Sequence, residues 1–289
     1  MGWRIKRIPG EPCIDLRRSA RRSEPVLLLL TGDRHIDSPE SNWNAQRRHL
    51  LEAKERNALV LDCGDLFDAM QGPGDPRSSR RALLASRDMT DGYFPAIVED
   101  AADKLSPYAG IIAAIGEGNH ETAPRKHYGV DLLRQFAQAV YGRTGHMPHV
   151  MGWGYWVRVI LEIGGTRRMI VIRVYHGSGG CGGANKTSAK ARKDQAWFPD
   201  ADIILSGHRH HCTQTTLAAD GLDSRGRVIR REQLQLEVGS YKDGWGTGCD
   251  GWESERHLGP KIGGQWWVQL RPAGKDKRIE IDATRARVQ

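Results

Sequence analysis

Asp33 and His35 stand two residues apart, close enough for one turn of chain to aim both at a single cation. Four more clusters of this kind follow: Asp65 with Asp68, Asn119 beside His120, His176 before a glycine, and His208 with His210. Asp65 has two carboxylate oxygens and can bridge two metals. Asn119 offers a neutral oxygen, and His176, His208 and His210 offer imidazole nitrogens. This mixed donor set suits Mn²⁺, Fe or Zn²⁺ better than Mg²⁺ or Ca²⁺, which prefer all-oxygen shells. A pair of such cations activates water and neutralises charge on a phosphorus-bound oxygen, so the donors point to two-metal hydrolysis.

Each cluster follows a short apolar run. Val26–Leu30 leads into Gly32-Asp33-Arg34-His35, Ala58–Leu61 into Gly64-Asp65-Leu66-Phe67-Asp68, and Ile111–Ile115 into Gly118-Asn119-His120-Glu121. Arg168–Tyr175 delivers His176-Gly177, and Ile203–Leu205 delivers Gly207-His208-Arg209-His210. Continuous apolar runs read as strands buried on both faces. Ligands of open α/β sheets sit beyond the carboxyl ends of such strands, so five clusters can converge there. Glycines before Asp65, Asn119 and His208 let the backbone turn tightly.

The elements between the clusters can be read from periodicity. Helices are expected over Trp43–Arg56, with Leu50, Leu51 and Ala53 on the apolar side, and over Pro95–Leu105 and Val130–Tyr141. In the last of these Leu133, Ala137 and Val140 share a stripe. Trp153–Ile163 and Arg168–Tyr175 read as a hairpin through Gly164–Gly165, and Val228–Val238, Gln265–Arg271 and Arg278–Ile281 as later strands. Residues 71–80 read as a loop. Together these predict a single α/β domain over residues 25–289: two packed mixed β-sheets flanked by helices in a four-layer sandwich, β-rich toward its C-terminal part. Residues 1–24, broken by Pro9, Gly10 and Pro12, read as a basic irregular segment.

The ordered series D-x-H, G-D-x-x-D, G-N-H-E, H-G and G-H-x-H resembles the calcineurin-like metallophosphoesterase superfamily. It spans Asp33 to His210, about three-fifths of the chain. The resemblance implies that Asp33, His35 and His210 hold one metal and Asn119, His176 and His208 the other, with Asp65 bridging. It implies His120 as the acid facing the leaving group and Asp68 as the carboxylate orienting His120. The reaction it implies is phosphoester hydrolysis by a hydroxide bridging two divalent ions, Mn²⁺ first and Fe or Zn²⁺ as alternatives. Gly64 to Asp68 looks like the nuclease branch, whereas Glu121 is shared with Ser/Thr protein phosphatases. Ala69-Met70 replaces the Arg-Gly with which those phosphatases continue. The tail around Gly239 to Asp243 and Gly259 to Gly264 is similar to compact phage and prophage members.

Bulk properties narrow the substrate. A net charge of +8 favours a polyanion, and residues 1–24 carry seven Arg and Lys against three Asp and Glu. DNA or RNA is the expected substrate of a phosphodiesterase or nuclease. A phosphomonoesterase for nucleotides or phosphoproteins, and a non-catalytic scaffold of the same fold, are the competing readings. Arg34 and Arg209, each between two ligands, could touch substrate phosphate or close an ion pair. Trp245, Trp252, Trp266 and Trp267 could stack bases or, for the last two, fill the core of a strand. Gly180 to Thr187 nearly spells a phosphate loop, but Asn185 stands where glycine is required, so it reads as a loop at the rim of the site. Five scattered cysteines without a C-x-x-C pair argue against disulfides and zinc knuckles. No apolar run nears the ~20 residues that span a bilayer, and the paired arginines at 17–18 and 21–22 precede no export signal, so a cytoplasmic protein is expected. Protein partners and oligomeric state leave no mark in the sequence.

Overall fold

Leu27 and Leu29 point one way from the strand β3 (Val26–Thr31), while Val26, Leu28 and Leu30 point the other. This is why the run is continuously apolar: it is buried between two layers. The computed structural model describes residues 2–21, 24–69, 92–179, 184–245, 253, 261–272 and 279–288. The loop expected at 71–80, Cys181, Cys249 and Trp252 lie outside them.

The two sheets are mixed. One has six strands, in the order β13 (Ile279–Ala286), β12 (Gln265–Pro272), β3, β4 (Leu59–Asp62), β5 (Ile112–Ile115), β6 (His149–Val150). From β3 to β6 the strands are parallel, and β12 runs antiparallel to both its neighbours. The other has seven: β1 (Arg4–Arg7), β2 (Cys13–Ser19), β7 (Gly154–Ile163), β8 (Thr166–Tyr175), β9 (Ile203–Ser206), β11 (Val228–Glu237), β10 (Thr213–Leu222). Leu28, Leu59, Val157, Ile172, Leu205 and Val268 lie in one buried cluster between the sheets. On the outer face of the six-stranded sheet, Leu29 and Val60 pack with Leu50, Ile97, Leu133 and Phe136. These come from the helices α1 (Trp43–Glu55), α2 (Tyr93–Leu105) and α4 (Leu132–Thr144). The helix α5 (Ala184–Trp197) lies on the outer face of the other sheet, where Gln235 Nε2 donates to its Ala191 carbonyl at 2.7 Å. The order of layers is therefore helix, sheet, sheet, helix. No helix among the described residues is long and apolar enough to cross a membrane.

Three expectations need correction. Residues 1–24 are not irregular throughout: Ile14 and Leu16 are fully buried on β2, which pairs in parallel with β7. Two apolar residues among charged ones mark an alternating strand, and Pro9, Gly10 and Pro12 fall in the turn that joins β1 to it. Leu51 is 37% exposed, because α1 buries the face of Ala45, Gln46, His49, Leu50 and Ala53. From Ala184 onward the segment read as a loop is helix α5, whose charged composition hides its period. Of the two readings of Trp266 and Trp267, the core of a strand holds: both are buried, on opposite faces of β12, and neither is a free stacking surface.

Candidate metal centre

The donors sit where strands end, and the backbone there is bent to an unusual degree. Asp33, His35, Asp65, His208 and His210 all have positive φ, between 44° and 74°. Side chains other than glycine rarely adopt this left-handed conformation, and its cost recurs at functional sites. The neighbouring glycines make room as well as turns. Gly64 has φ 115° and is the turn expected. A Cβ on Gly118 would come within 2.0 Å of Asp65 Oδ1, and one on Gly207 within 2.5 Å of Asp33 Oδ2. Close approach to a carboxylate, not the turn alone, demands glycine at those two positions.

The seven donors converge. Ligand atoms of Asp33, His35 and His210 lie within 4.8 Å of one another, and so do those of Asp65, His176 and His208. His35 Nε2 faces His210 Nε2 at 3.2 Å, and the latter is 3.7 Å from Asp33 Oδ1. His176 Nε2 is 3.1 Å from both Asp65 Oδ2 and Asn119 Oδ1, and His208 Nδ1 is 2.8 Å from that same amide oxygen. Second nitrogens are tied down elsewhere: His35 Nδ1 lies 3.0 Å from Asp68 Oδ1, and His176 Nδ1 lies 3.3 Å from the Cys63 carbonyl. The rings of His35 and His176 thus turn Nε2 inward, while His208 presents Nδ1, so each offers one nitrogen to a cation.

Electrostatics favour a cation here. Asp33, His35, Asp65 and His176 are at most 1% exposed. Burial pushes the Asp33 carboxyl up to about 7, and the charge of Asp65 pushes in the same direction. Burial also opposes the charge on Asp65, but His176 and His120 outweigh it and hold that carboxyl well below its usual range. Burial, with His35 beside it, keeps His210 neutral and therefore able to ligate. Two buried carboxylates among imidazoles, with space kept by glycine, fit a pair of divalent ions.

His120 turns Nε2 toward the centre, 3.8 Å from Asp65 Oδ2. The expected partnership with Asp68 needs correction. His120 Nδ1 donates to the Asp68 backbone carbonyl at 2.6 Å, while the nearer carboxylate oxygen is 4.0 Å away. That carboxylate belongs to His35 and to Lys242, whose Nζ donates to it at 3.1 Å and 3.2 Å. Lys242 lies five residues beyond the end of β11, within the Gly239 to Asp243 segment, where nothing in the sequence marked it as a partner of Asp68.

Arg34 and Arg209 are not poised for substrate. Arg34 is buried, its Nε 2.6 Å from Asp62 Oδ2, and Arg209 grips the Glu237 carboxylate with two nitrogens. Each arginine braces the loop whose flanking residues are the donors. Three buried carboxylates serve the loops in the same way. Glu121, in the first turn of the helix α3 (Asn119–Tyr128), accepts from the amides of Asp65, Phe67 and Gly118 at 3.2, 2.9 and 2.8 Å. Asp37 accepts from the amides of Asp68 and Ala69, and Asp62 from that of Gly64. Burial, followed by the nearby Asp65, raises Glu121 to about 8. Glu121 and Asp62 adjoin the motifs and could have been suspected from that; their partners could not.

No family model matches the chain, and no curated protein does. Several solved structures are similar to it at low identity. One, from Streptococcus pneumoniae, is a conserved uncharacterised protein described as a predicted phosphoesterase: 15% identity, 91% of each chain covered, TM-score 0.33. Another is GAP50, the anchor in the inner membrane complex of Plasmodium: 12% identity, 91% of this chain and 85% of that one, TM-score 0.44. A third is Vps29 of Chaetomium thermophilum: 10% identity, 90% and 95% covered, TM-score 0.37. The functional reading therefore rests on the centre itself.

Proposed function

We propose that this chain is a two-metal phosphoester hydrolase of the calcineurin-like type, acting on phosphodiester bonds of DNA or RNA. The observation that carries the reading is the meeting of seven donors, four of them fully buried, in two adjoining groups, with His120 beside them. Asp33, His35 and His210 would hold one ion and Asn119, His176 and His208 the other, with the Asp65 carboxylate between them. When bound, two Mn²⁺, Fe or Zn²⁺ ions supply an activated water and neutralise charge on the phosphoryl oxygens.

The chain's own residues do the rest. Asp68 fixes the ring of His35, and the Cys63 carbonyl fixes that of His176, so neither donor has to reorganise. His120, held at Nδ1 by the Asp68 carbonyl, presents Nε2–H to the departing oxygen and gives it a proton. The net charge of +8 supports a polyanionic substrate over a phosphoprotein.

Turnover of bis-p-nitrophenyl phosphate against p-nitrophenyl phosphate with Mn²⁺ tests the reading. The diester should be the better substrate, and DNA or RNA should be cut under the same conditions. Turnover of the monoester alone would sink the nuclease reading, and no turnover of either would favour a scaffold. His120→Asn should lower kcat by at least ~100-fold while metal content stays near two per chain.

A further inference from the structure

We infer that the open outer face of the seven-stranded sheet is a second contact surface for double-stranded nucleic acid, separate from the metal centre. The register puts Lys6, Asp15 and Arg158 in one row across β1, β2 and β7, and Arg4 and Arg17 in the next. Alternation along a strand points residues of the same parity to the same face. Ile14, Leu16, Val157 and Ile172 face the core, so the rows face outward. On β8 the same face carries Arg167 and Arg173, paired with Glu162 and Trp156 of β7. Six basic residues thus stand against two acidic ones, a surplus of four in a chain of net +8.

The two acids do not offset this field equally. Asp15 is 1% exposed, and its carboxylate is taken up by Arg17 at 2.8 Å and by Arg158 at 2.7 and 3.0 Å. Glu162 is partly exposed, 4.0 Å from Arg167. Five of the six basic side chains stay open to water: those of Arg17, Arg158 and Arg167 are 39%, 41% and 66% exposed, and Arg4 and Lys6 are exposed as well. Arg173, in contrast, is packed against the Trp156 and Phe198 rings. Helix α5 lies on the other half of the sheet, where Lys190 reaches Ser206 and Tyr175 reaches Asp194.

Strands spaced ~4.8 Å apart and rising ~3.3 Å per residue make this face about 14 Å wide and 20 Å long. Over that length duplex nucleic acid presents about a dozen phosphates. The face also runs up to the candidate centre. β8 ends one residue before His176, and Trp153, just ahead of β7, stands edge-on to the His176 ring at 5.3 Å. A duplex held on the rows would have one end at the rim of the metal site. A surface of arginine rows, with Met169 and, at the rim, Trp153 as its large exposed apolar side chains, suits phosphates and offers little to insert into lipid.

This inference extends the proposed nuclease reading but does not depend on it, because binding can be measured without turnover. The probe is a fluorescein-labelled DNA duplex, read by anisotropy over a salt series in the Mn²⁺-loaded His120→Asn protein. Replacing Arg4, Lys6 and Arg167 by Ser in that background should weaken binding at least about tenfold. The slope of log affinity against log salt should fall by about 2 to 3, since three phosphate contacts are removed. The same triple substitution in the wild-type background should leave turnover of bis-p-nitrophenyl phosphate unchanged. Arg225→Ser with Arg231→Ser, on the turn and strand of the β10–β11 hairpin, is the control and should leave binding intact. Arg167→Glu alone is the milder variant should the triple variant melt early.

Equal affinity and slope in wild type and triple variant would overturn the proposal. So would equal loss in the control pair, or binding to anionic phospholipid vesicles in place of the duplex. Binding that depends on the three residues, without cleavage of any nucleic acid, would retain the face and sink the nuclease reading. Cleavage with binding indifferent to them would do the opposite.

Discussion

Gly118 shows how closely the donors are spaced. A methyl group there would meet Asp65 Oδ1 at 2.0 Å, whereas one at Gly110 would meet nothing within 4 Å. Gly118→Ala is therefore expected to displace the Asp65 carboxylate and, if the chain binds two ions as proposed, to cut metal content to one or fewer per chain. Gly110→Ala should leave it unchanged, and elemental analysis alongside a melting curve separates the two. The reassigned role of Asp68 makes a second distinction. Because its carboxylate orients His35 and not His120, Asp68→Asn should weaken metal binding by about 10- to 100-fold. His120→Asn should leave metal binding in place; a metal titration of both variants decides this. The donors themselves were legible, since each motif keeps its ligand and its glycine together in a few residues. Asp37 and Lys242 were not, nor were the Asp65 and Phe67 amides that Glu121 holds, because these partners lie on other loops, brought near only by the fold.

At the level of elements, β2 and α1 carry the informative tests. Were residues 1–24 a mobile arm, trimming Leu16 would change nothing. As Leu16 is fully buried on β2, Leu16→Ala should cost about 2 to 5 kcal/mol, read from the urea midpoint. His49 of α1 is packed between the Tyr241 hydroxyl at 2.9 Å and the Arg287 carbonyl at 3.0 Å. Burial holds it down at about 4 against 6.5 for an ordinary histidine. The unfolded chain thus binds a proton more readily between those two values. The stability His49 confers is complete above pH 6.5 and is lost as pH falls toward 4, by up to about 3 kcal/mol. Unfolding curves from pH 7 to 4.5 should show this decline, and His49→Gln should flatten it. Long apolar runs such as Val26–Leu30 announced their strands; β2, with two apolar residues among arginines, and α5, rich in charge, did not. The burial that decided both is a property of their neighbours.

For the molecule as a whole, the metals should act as structural ligands. Asp33 and Asp65 are buried side by side, and a bound cation removes the penalty on ionising both. Chelation should lower the thermal midpoint, and Mn²⁺ should restore it. At a free ion concentration a hundredfold above Kd the gain is about 3 kcal/mol per site. The four-layer order was legible because buried strands alternate with amphipathic helices. The placing of β12 between β3 and β13 was not, since an apolar strand near the end of the pattern fits several neighbours equally well.

That placement has a consequence for the order in which the centre is put together as the chain leaves the ribosome. Asp33 leaves the ribosome early, yet its loop is braced by groups that follow more than two hundred residues later. Its carbonyl receives Ser240 Oγ and the Tyr241 amide, both at 3.1 Å, and the Gly32 amide donates to Gln265 Oε1 at 3.1 Å. β3 itself has β12 as a neighbour, with Trp266 opposite Leu30. A nascent chain that has emerged only through His210 holds all seven donors but lacks the strand and loop that set the first pair. Loop closure over that span is slow and non-local. The centre is therefore assembled last, only after the segment from Ser240 to Gln265 has emerged and docked against the first strand and its loop.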